Sequence, residues 1–313
     1  MQLPALAAWA WIPIVIAAAL FQTVRNAAQR SLVAELGTLS ATLVRFLYGL
    51  PFAALWLVVV LQFLPSTAAL PSLGAGHLAY WAWLAAGAVA QIMATALLLL
   101  AMKERNFVIG VALAKTEVLQ AAVLGALLLL DRPGLWSVLA MLCASCGVLL
   151  LSAPKSGLRD VLRPSAWQGK AALAGLASGA CFAMASVGYR GAALTQPGVS
   201  PWLIGASGVV LAQLLQTLLL GGWIRWREPG KWGRIAQAWR VSSVAGAMGA
   251  LASIGWFTAF AIQTVAEVKT LGLIEVIFSY LVSRKLFAEN LSRAERIGLG
   301  LVTVGLVVIC AQL

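Results

Sequence analysis

The chain has 313 residues, 62% of them hydrophobic and only 10% charged, with a formal net charge of +12. A soluble domain carries about 25% charged residues, so this composition and a mean hydropathy of +0.93 exclude an ordinary water-soluble fold. In a soluble chain the basic balance would suggest nucleic acid; here the cations flank apolar runs, where they set orientation and meet anionic headgroups, and no nucleic-acid partner is expected.

Apolar runs of about 20 residues recur along the chain, long enough to cross a bilayer as helices. The expected fold is an all-α membrane protein of ten transmembrane helices arranged as two inverted five-helix repeats. Residues 1–152 form the first repeat, 153–167 a polar connector and 168–313 the second. The predicted helices run 6–33, 38–61, 77–102, 107–130 and 134–152, then 169–194, 201–223, 242–263, 266–287 and 296–312.

The first helix opens on an apolar, alanine-rich stretch but has no basic segment ahead of it, so it reads as a helix rather than a cleaved leader. Gln22, Arg25, Asn26 and Gln29 follow it at spacing i, i+3, i+4, i+7, which places four polar groups on one face. Such a stripe faces a cavity, or else marks an interfacial helix end. The second helix carries Arg45 within its apolar run, and the third carries Gln91 and Thr95.

The fourth helix carries Lys115 and Glu117. Two residues apart, they point to different faces and each needs a partner elsewhere. A charge at the centre of a membrane helix costs about 2.5–3.5 kcal/mol on insertion scales, so Glu117 must have a use. It is the eleventh residue from Phe107, near the bilayer midplane and away from a helix start. Asp131-Arg132-Pro133 then forms a tight turn before the fifth helix.

In the second half, Gly175, Gly179 and Ala183, and later Ala245, Gly249 and Ser253, stand at four-residue spacing that permits close helix crossing. Gln213, Gln216, Thr217, Ser253 and Thr258 are polar residues deep in their helices, read as packing groups. Most of the 13 tryptophans, such as Trp9, Trp11, Trp81, Trp202 and Trp223, fall near segment ends as an aromatic belt. Trp256 and Tyr280 fall inside their helices, where a ring could stack on an organic solute or simply pack.

The ninth helix opens on Glu267, an acid suited to a helix N-terminus, with Lys269 two residues further in, placed to snorkel. Glu275 follows, eleventh from Val265. It matches Glu117 at an offset of 158 residues, a register that also pairs Asp131 with Glu289 and Gly147 with Gly305. The opening helices align more loosely at 160, superposing Arg30 on Arg190. An odd number of helices per repeat inverts the second repeat in the membrane, as in many secondary transporters.

Two readings stand for Glu117 and Glu275. They are buried ion pairs with Arg25, Arg45 or Lys115, or carboxylates that bind a proton or substrate. The candidate substrate- or proton-binding residues are Glu117, Glu275, Arg25, Arg45, Lys115, Gln22, Asn26, Gln91, Trp256 and Tyr280, lining a central charged cavity. Neither a catalytic set nor a metal site is expected. Cys143, Cys146, Cys181 and Cys310 form no ligand pattern with the single His77 and read as packing residues.

ArgPhe at 45 and 46, ThrGluVal at 116–118, AspArg at 131 and 132, and GluVal at 275 and 276 with Glu289 resemble the EamA-like family of the drug/metabolite transporter superfamily, over essentially the whole chain. Valine follows both glutamates where many members have proline. The resemblance implies alternating-access transport of small organic metabolites, amino-acid-like or drug-like, in the efflux direction. The implied protein is multi-pass in the bacterial inner membrane, a monomer or homodimer, without cofactor, with protons as candidate coupling ion. On that reading Glu117 and Glu275 titrate or hold cationic groups, while Arg25 and Arg45 hold anionic ones. The alternatives are a non-transporting sensor, a lipid scramblase or an intramembrane enzyme; no His-Glu-x-x-His or Gly-x-Ser-x-Gly sequence supports the last. Sorting Lys and Arg by loop puts 16 in odd-numbered loops and 2 in even ones, so charge places both termini outside, whereas family convention places them inside.

Overall fold

A computed structural model of the chain describes residues 9–63, 68–74, 77–103, 113–151, 169–278 and 293–312, and these are helical, with no strand among them. In chain order the helices are α1 Trp11–Leu36, α2 Thr38–Leu47, α3 Leu50–Gln62, α4 Leu78–Lys103, α5 Glu117–Leu128, α6 Leu135–Leu151, α7 Lys170–Leu194, α8 Pro201–Arg227, α9 Lys231–Gln237, α10 Trp239–Ile262, α11 Val265–Gly272 and α12 Arg293–Cys310. Among the described residues six spans are long and apolar enough to cross a membrane: α1, α2 with α3, α4, α7, α8 and α10. This marks a membrane protein. The expected polar connector, Glu289 and Tyr280 lie outside the described residues.

The chain divides into two compact units. The first comprises 1–92 and 185–263, the second 93–184 and 264–313, so each draws on both halves of the sequence.

In the first unit α1 turns into α2 through one residue, Gly37, whose φ of 80° suits a residue without a Cβ. Helix α1 lies against α10, and Gly255 permits the approach: a Cβ there would stand 2.7 Å from that of Ala18. Gly87 and Gly188 do the same for α4 and α7, since a Cβ on Gly188 would stand 2.8 Å from the Gly87 Cα. The core around these crossings includes Trp11, Val15, Leu43, Phe46, Leu203 and Ile224. Trp11, expected in the aromatic belt, is only 1% exposed and belongs to that core. The seventh expected helix runs on to Arg227, and a short helix not anticipated from the sequence, α9, is tied down by the Tyr48 hydroxyl, which donates to the Ile235 carbonyl at 3.1 Å.

In the second unit α6 and α12 cross closely. A Cβ on Gly147 would meet the Gly298 carbonyl at 2.6 Å, and one on Gly305 would meet the Ala140 carbonyl at 2.7 Å. In the 158-residue register Ala140 corresponds to Gly298 and Gly147 to Gly305, so each contact is the exchanged form of the other. Cys143 Sγ lies 3.4 Å from the carbonyl of its own counterpart, Leu301. Two residues past the end of helix α5 stands Leu130, whose φ of 57° is left-handed. There the Asp131 amide reaches back to Gly125 O at 3.2 Å, closing a C-terminal turn that usually takes glycine.

Candidate functional site

The fourth and ninth expected helices are not continuous. Residues 113 and 114 are helical, Lys115 and Thr116 form a turn, and α5 starts at Glu117; likewise α11 stops at Gly272, Leu273 is a turn, and residues 274–278 resume the helix. Both breaks carry three-residue bonds, and one of them matches in the 158-residue register. Val118 N–H donates to Lys115 O at 3.4 Å, and Val276 N–H donates to Leu273 O at 3.0 Å, three-residue spans in place of four. Thr116 N–H also reaches Leu113 O, and Leu273 N–H reaches Thr270 O, both at 3.1 Å. No proline is needed: at the first break the Thr116 hydroxyl bonds back to Leu113 O at 2.6 Å and competes with the helix for that carbonyl.

This corrects the sequence reading of both glutamates as mid-helix residues. Glu117 is the first residue of α5 and Glu275 the second after its break, where helix amide groups are without intrahelical partners and the dipole favours an anion. Both are buried, at 8% and 6% exposure. Glu117 Oε1 stands 3.1 Å from Lys269 Nζ, and Glu275 is ion-paired with Lys115. Of the partners anticipated, Lys115 is therefore found on Glu275, while Lys269, expected to snorkel, is buried in α11 on Glu117. Gly179 of α7 lies over the first break: a Cβ on it would stand 2.9 Å from Ala114 O and 3.3 Å from Glu117 N. Glu267 keeps an architectural place. Its amide donates to the N-cap Thr264 Oγ1 at 3.4 Å, the Thr264 hydroxyl donates to Glu267 Oε2 at 2.9 Å, and Ser137 donates to Oε1 at 3.0 Å.

The first unit holds the other candidates. The stripe on α1 faces inward, with Arg25 and Gln29 buried and Gln22 and Asn26 half-buried, and α1 continues to Leu36. Gln29 donates to Ala41 O at 2.9 Å, Arg25 Nη2 to Asn26 Oδ1 at 2.7 Å, and the Trp256 indole to Gln22 Oε1 at 3.0 Å. Trp256 is itself buried and stacked on Phe260, with ring centroids 6.2 Å apart. Arg45 is 1% exposed on α2. The side chains of Arg45 and Arg25 both pass over Gly249, whose Cβ would stand 3.2 Å from Arg45 Cγ and 3.3 Å from Arg25 Cδ.

Gln91 joins a network that sequence reading resolved only in part. The Tyr189 hydroxyl donates to Gln91 Oε1 at 2.9 Å, and Gln216 Nε2 reaches that oxygen at 2.8 Å, Ala88 O at 3.1 Å and the Tyr189 oxygen at 3.2 Å. The Tyr189 ring lies on Phe257 with centroids 3.9 Å apart. Tyr189 and Lys269 fall outside the residues that the sequence marks as binding. Their signal was modest: a phenol and an ammonium, each inside an apolar run where every polar group must find a bond. Among the described residues no group of His, Cys, Asp and Glu could hold a metal ion.

No protein-family model and no curated protein matches the chain. Solved structures do, in 16 chains. One of these, described only as the crystal structure of a protein, superposes with a TM-score of 0.67 over 96% of this chain and 96% of its own, at 18% sequence identity. At that identity the likeness shows the fold alone.

Proposed function

We propose that the chain is a secondary transporter similar to the EamA-like family, moving small organic metabolites out across the bacterial inner membrane by alternating access, with protons as the coupling ion. In this reading its ten spans form two inverted repeats, 1–152 and 168–313. The observation that carries the proposal is the pair of helix breaks at matching positions, each followed within two residues by a buried glutamate that is ion-paired to a lysine from the other broken segment. Interrupted helices at corresponding places in two halves are the device by which secondary transporters present helix termini and charge to solutes and ions. The exchanged contacts of Gly147 with Gly298 and Gly305 with Ala140 fit a two-fold relation between the halves. Carboxylates held by ammonium groups that must be released to titrate fit proton coupling.

The test is solute counterflow in proteoliposomes carrying the purified chain, against a panel of amino acids and drug-like metabolites, with and without a pH gradient. Exchange of at least one solute is expected, abolished by Glu117→Gln and by Glu275→Gln in protein that stays monodisperse. An inert panel, or wild-type flux from both variants, would sink the reading.

A further inference from the structure

We propose that the corner of the first unit where α8, α9 and α10 follow one another is a binding site for anionic phospholipid, with arginine forks for the phosphate and tryptophan rings for the glycerol and upper acyl carbons. The inference is independent of the carrier reading and needs only that the chain spans a membrane.

Three observations converge. The first is depth. Helix α8 has 27 residues, about 40 Å at ~1.5 Å per residue, against a hydrocarbon core of about 30 Å. From Pro201 to Ile224 it carries no charge, while its last turn holds Arg225 and Arg227. The excess length therefore brings that turn to headgroup level. The chain then returns through residues 228–238 to open α10 on Trp239 and Arg240, which keeps them near the same level. Between them α9 is folded back on the unit: the Trp232 ring stands 3.5 Å from where a Gly221 Cβ would be, and the Ile235 carbonyl accepts from the Tyr48 hydroxyl.

The second observation is sign. Arg225, Arg227, Lys231, Arg234 and Arg240 share this stretch with one acid, Glu228, which is ion-paired with Lys231. The four arginines are exposed. A basic cluster at the end of a membrane helix attracts anionic headgroups across about a Debye length.

The third observation is the rings. Trp223, Trp226 and Trp239 are 47%, 69% and 55% exposed, and the first two meet edge to face with centroids 5.8 Å apart. Arg227 Cζ lies 4.4 Å from the Trp226 ring centroid and 5.2 Å from that of Trp223, and Arg240 Cζ lies 5.6 Å from that of Trp239. A guanidinium laid on an indole spends its face on the ring and keeps its N–H edge for paired bonds to oxygen. The fork is thereby held ready for a phosphate. A soluble anion would satisfy the arginines and leave three rings in water, whereas an anionic lipid covers both. A zwitterionic lipid brings the phosphate together with a cation that the same field repels.

The full chain in detergent is titrated with dioleoylphosphatidylglycerol, dioleoylphosphatidylcholine, glycerol phosphate and a hexaglutamate peptide, and bound molecules are counted by native mass spectrometry. Phosphatidylglycerol should bind saturably and at least about tenfold more tightly than phosphatidylcholine, as two or more cations at an anionic surface provide. Neither glycerol phosphate nor the peptide should displace it at matched concentration. Arg227→Gln should weaken phosphatidylglycerol about fivefold, the effect of one cation, and Arg227→Lys, which keeps the charge and loses the fork, should weaken it less. Trp226→Ala leaves the charge unchanged and should weaken it too. Lys103→Gln and Lys170→Gln, at exposed positions closing α4 and opening α7, should leave it as it was. All these variants alter exposed side chains, and an unchanged unfolding midpoint shows that each folds. Equal affinity for the two lipids, a loss in the lysine variants as large as in Arg227→Gln, or no loss in Arg227→Gln and Trp226→Ala would overturn the site. Displacement by glycerol phosphate or by the peptide would overturn its assignment to lipid, in favour of a soluble anion or an acidic protein.

Discussion

Lys269 Nζ stands 3.1 Å from Glu117 Oε1, so the carboxylate at one helix break is held by the ammonium of the other broken segment. Both side chains are about nine-tenths buried, and a buried pair broken from one side leaves a charge behind at a cost of about 3–5 kcal/mol. Glu117→Gln and Lys269→Met should therefore each lower unfolding stability in detergent by that order. The double variant should recover a large part, with a coupling energy above about 1 kcal/mol. Additive losses in a double-mutant cycle would mean that the contact carries no energy. Counterflow of the recovered double variant should remain dead, because stability returns without the titrating group.

Gly179 sets how closely α7 approaches the first break. Its Cβ would meet the backbone at Ala114 O and Glu117 N, and backbone cannot swing aside as a side-chain tip does. Gly179→Ala should cost about 1–3 kcal/mol, as overpacking does, and Gly179→Val more. Gly222→Ala, in α8 with nothing within 4 Å of its added Cβ, is the control and should cost nothing. Equal unfolding midpoints for the two alanine variants would show that α7 yields.

The crossing of α6 and α12 makes a sharper claim, because its two contacts are exchanged forms of each other. Gly147→Ala and Gly305→Ala both push a methyl group at a carbonyl, at 2.6 Å and 2.7 Å, and should destabilise by similar amounts, about 1–3 kcal/mol each. Gly300→Ala, on α12 with open space around it, should be neutral. A large loss from only one of the first two would argue that the crossing is not two-fold in its energetics.

The sequence made the helices legible because bilayer-length apolar runs leave few alternatives, and it exposed the charged residues because each stands out against those runs. The breaks were hidden. Lys115-Thr116 carries neither glycine nor proline and the second break has only Gly272 beside Leu273; what interrupts the helix is three-residue backbone bonding, helped at the first break by a threonine hydroxyl. The partners of the glutamates were equally unreadable, since Lys115 to Glu275 spans 160 residues and only the approach of α11 to α5 decides it. The polar stripe from Gln22 to Gln29 was legible as a face by its spacing. That it would meet Trp256, Ala41 and Gly249 was not.

The position of the charges relative to the breaks yields a final prediction, which separates the ion pair from its setting. Glu117 opens α5, at the positive end of that helix, and Lys269 lies in the last turn of α11, at a negative end. Each charge therefore gains twice, from its partner and from its helix terminus. Exchanging them, with Glu117→Lys and Lys269→Glu together, restores opposite charges at the same place but sets each against its own helix. If the pair alone mattered, the exchanged protein would be as stable as the wild type. With the termini contributing about 0.3–1 kcal/mol each, and up to about 2 in partly buried settings, the exchanged variant should unfold about 1–2 kcal/mol earlier. It should still stand well above either single reversal, in which two like charges are confined together. Chemical unfolding of the four proteins in one detergent measures all three differences, and wild-type stability in the exchanged variant would remove the helix termini from the account.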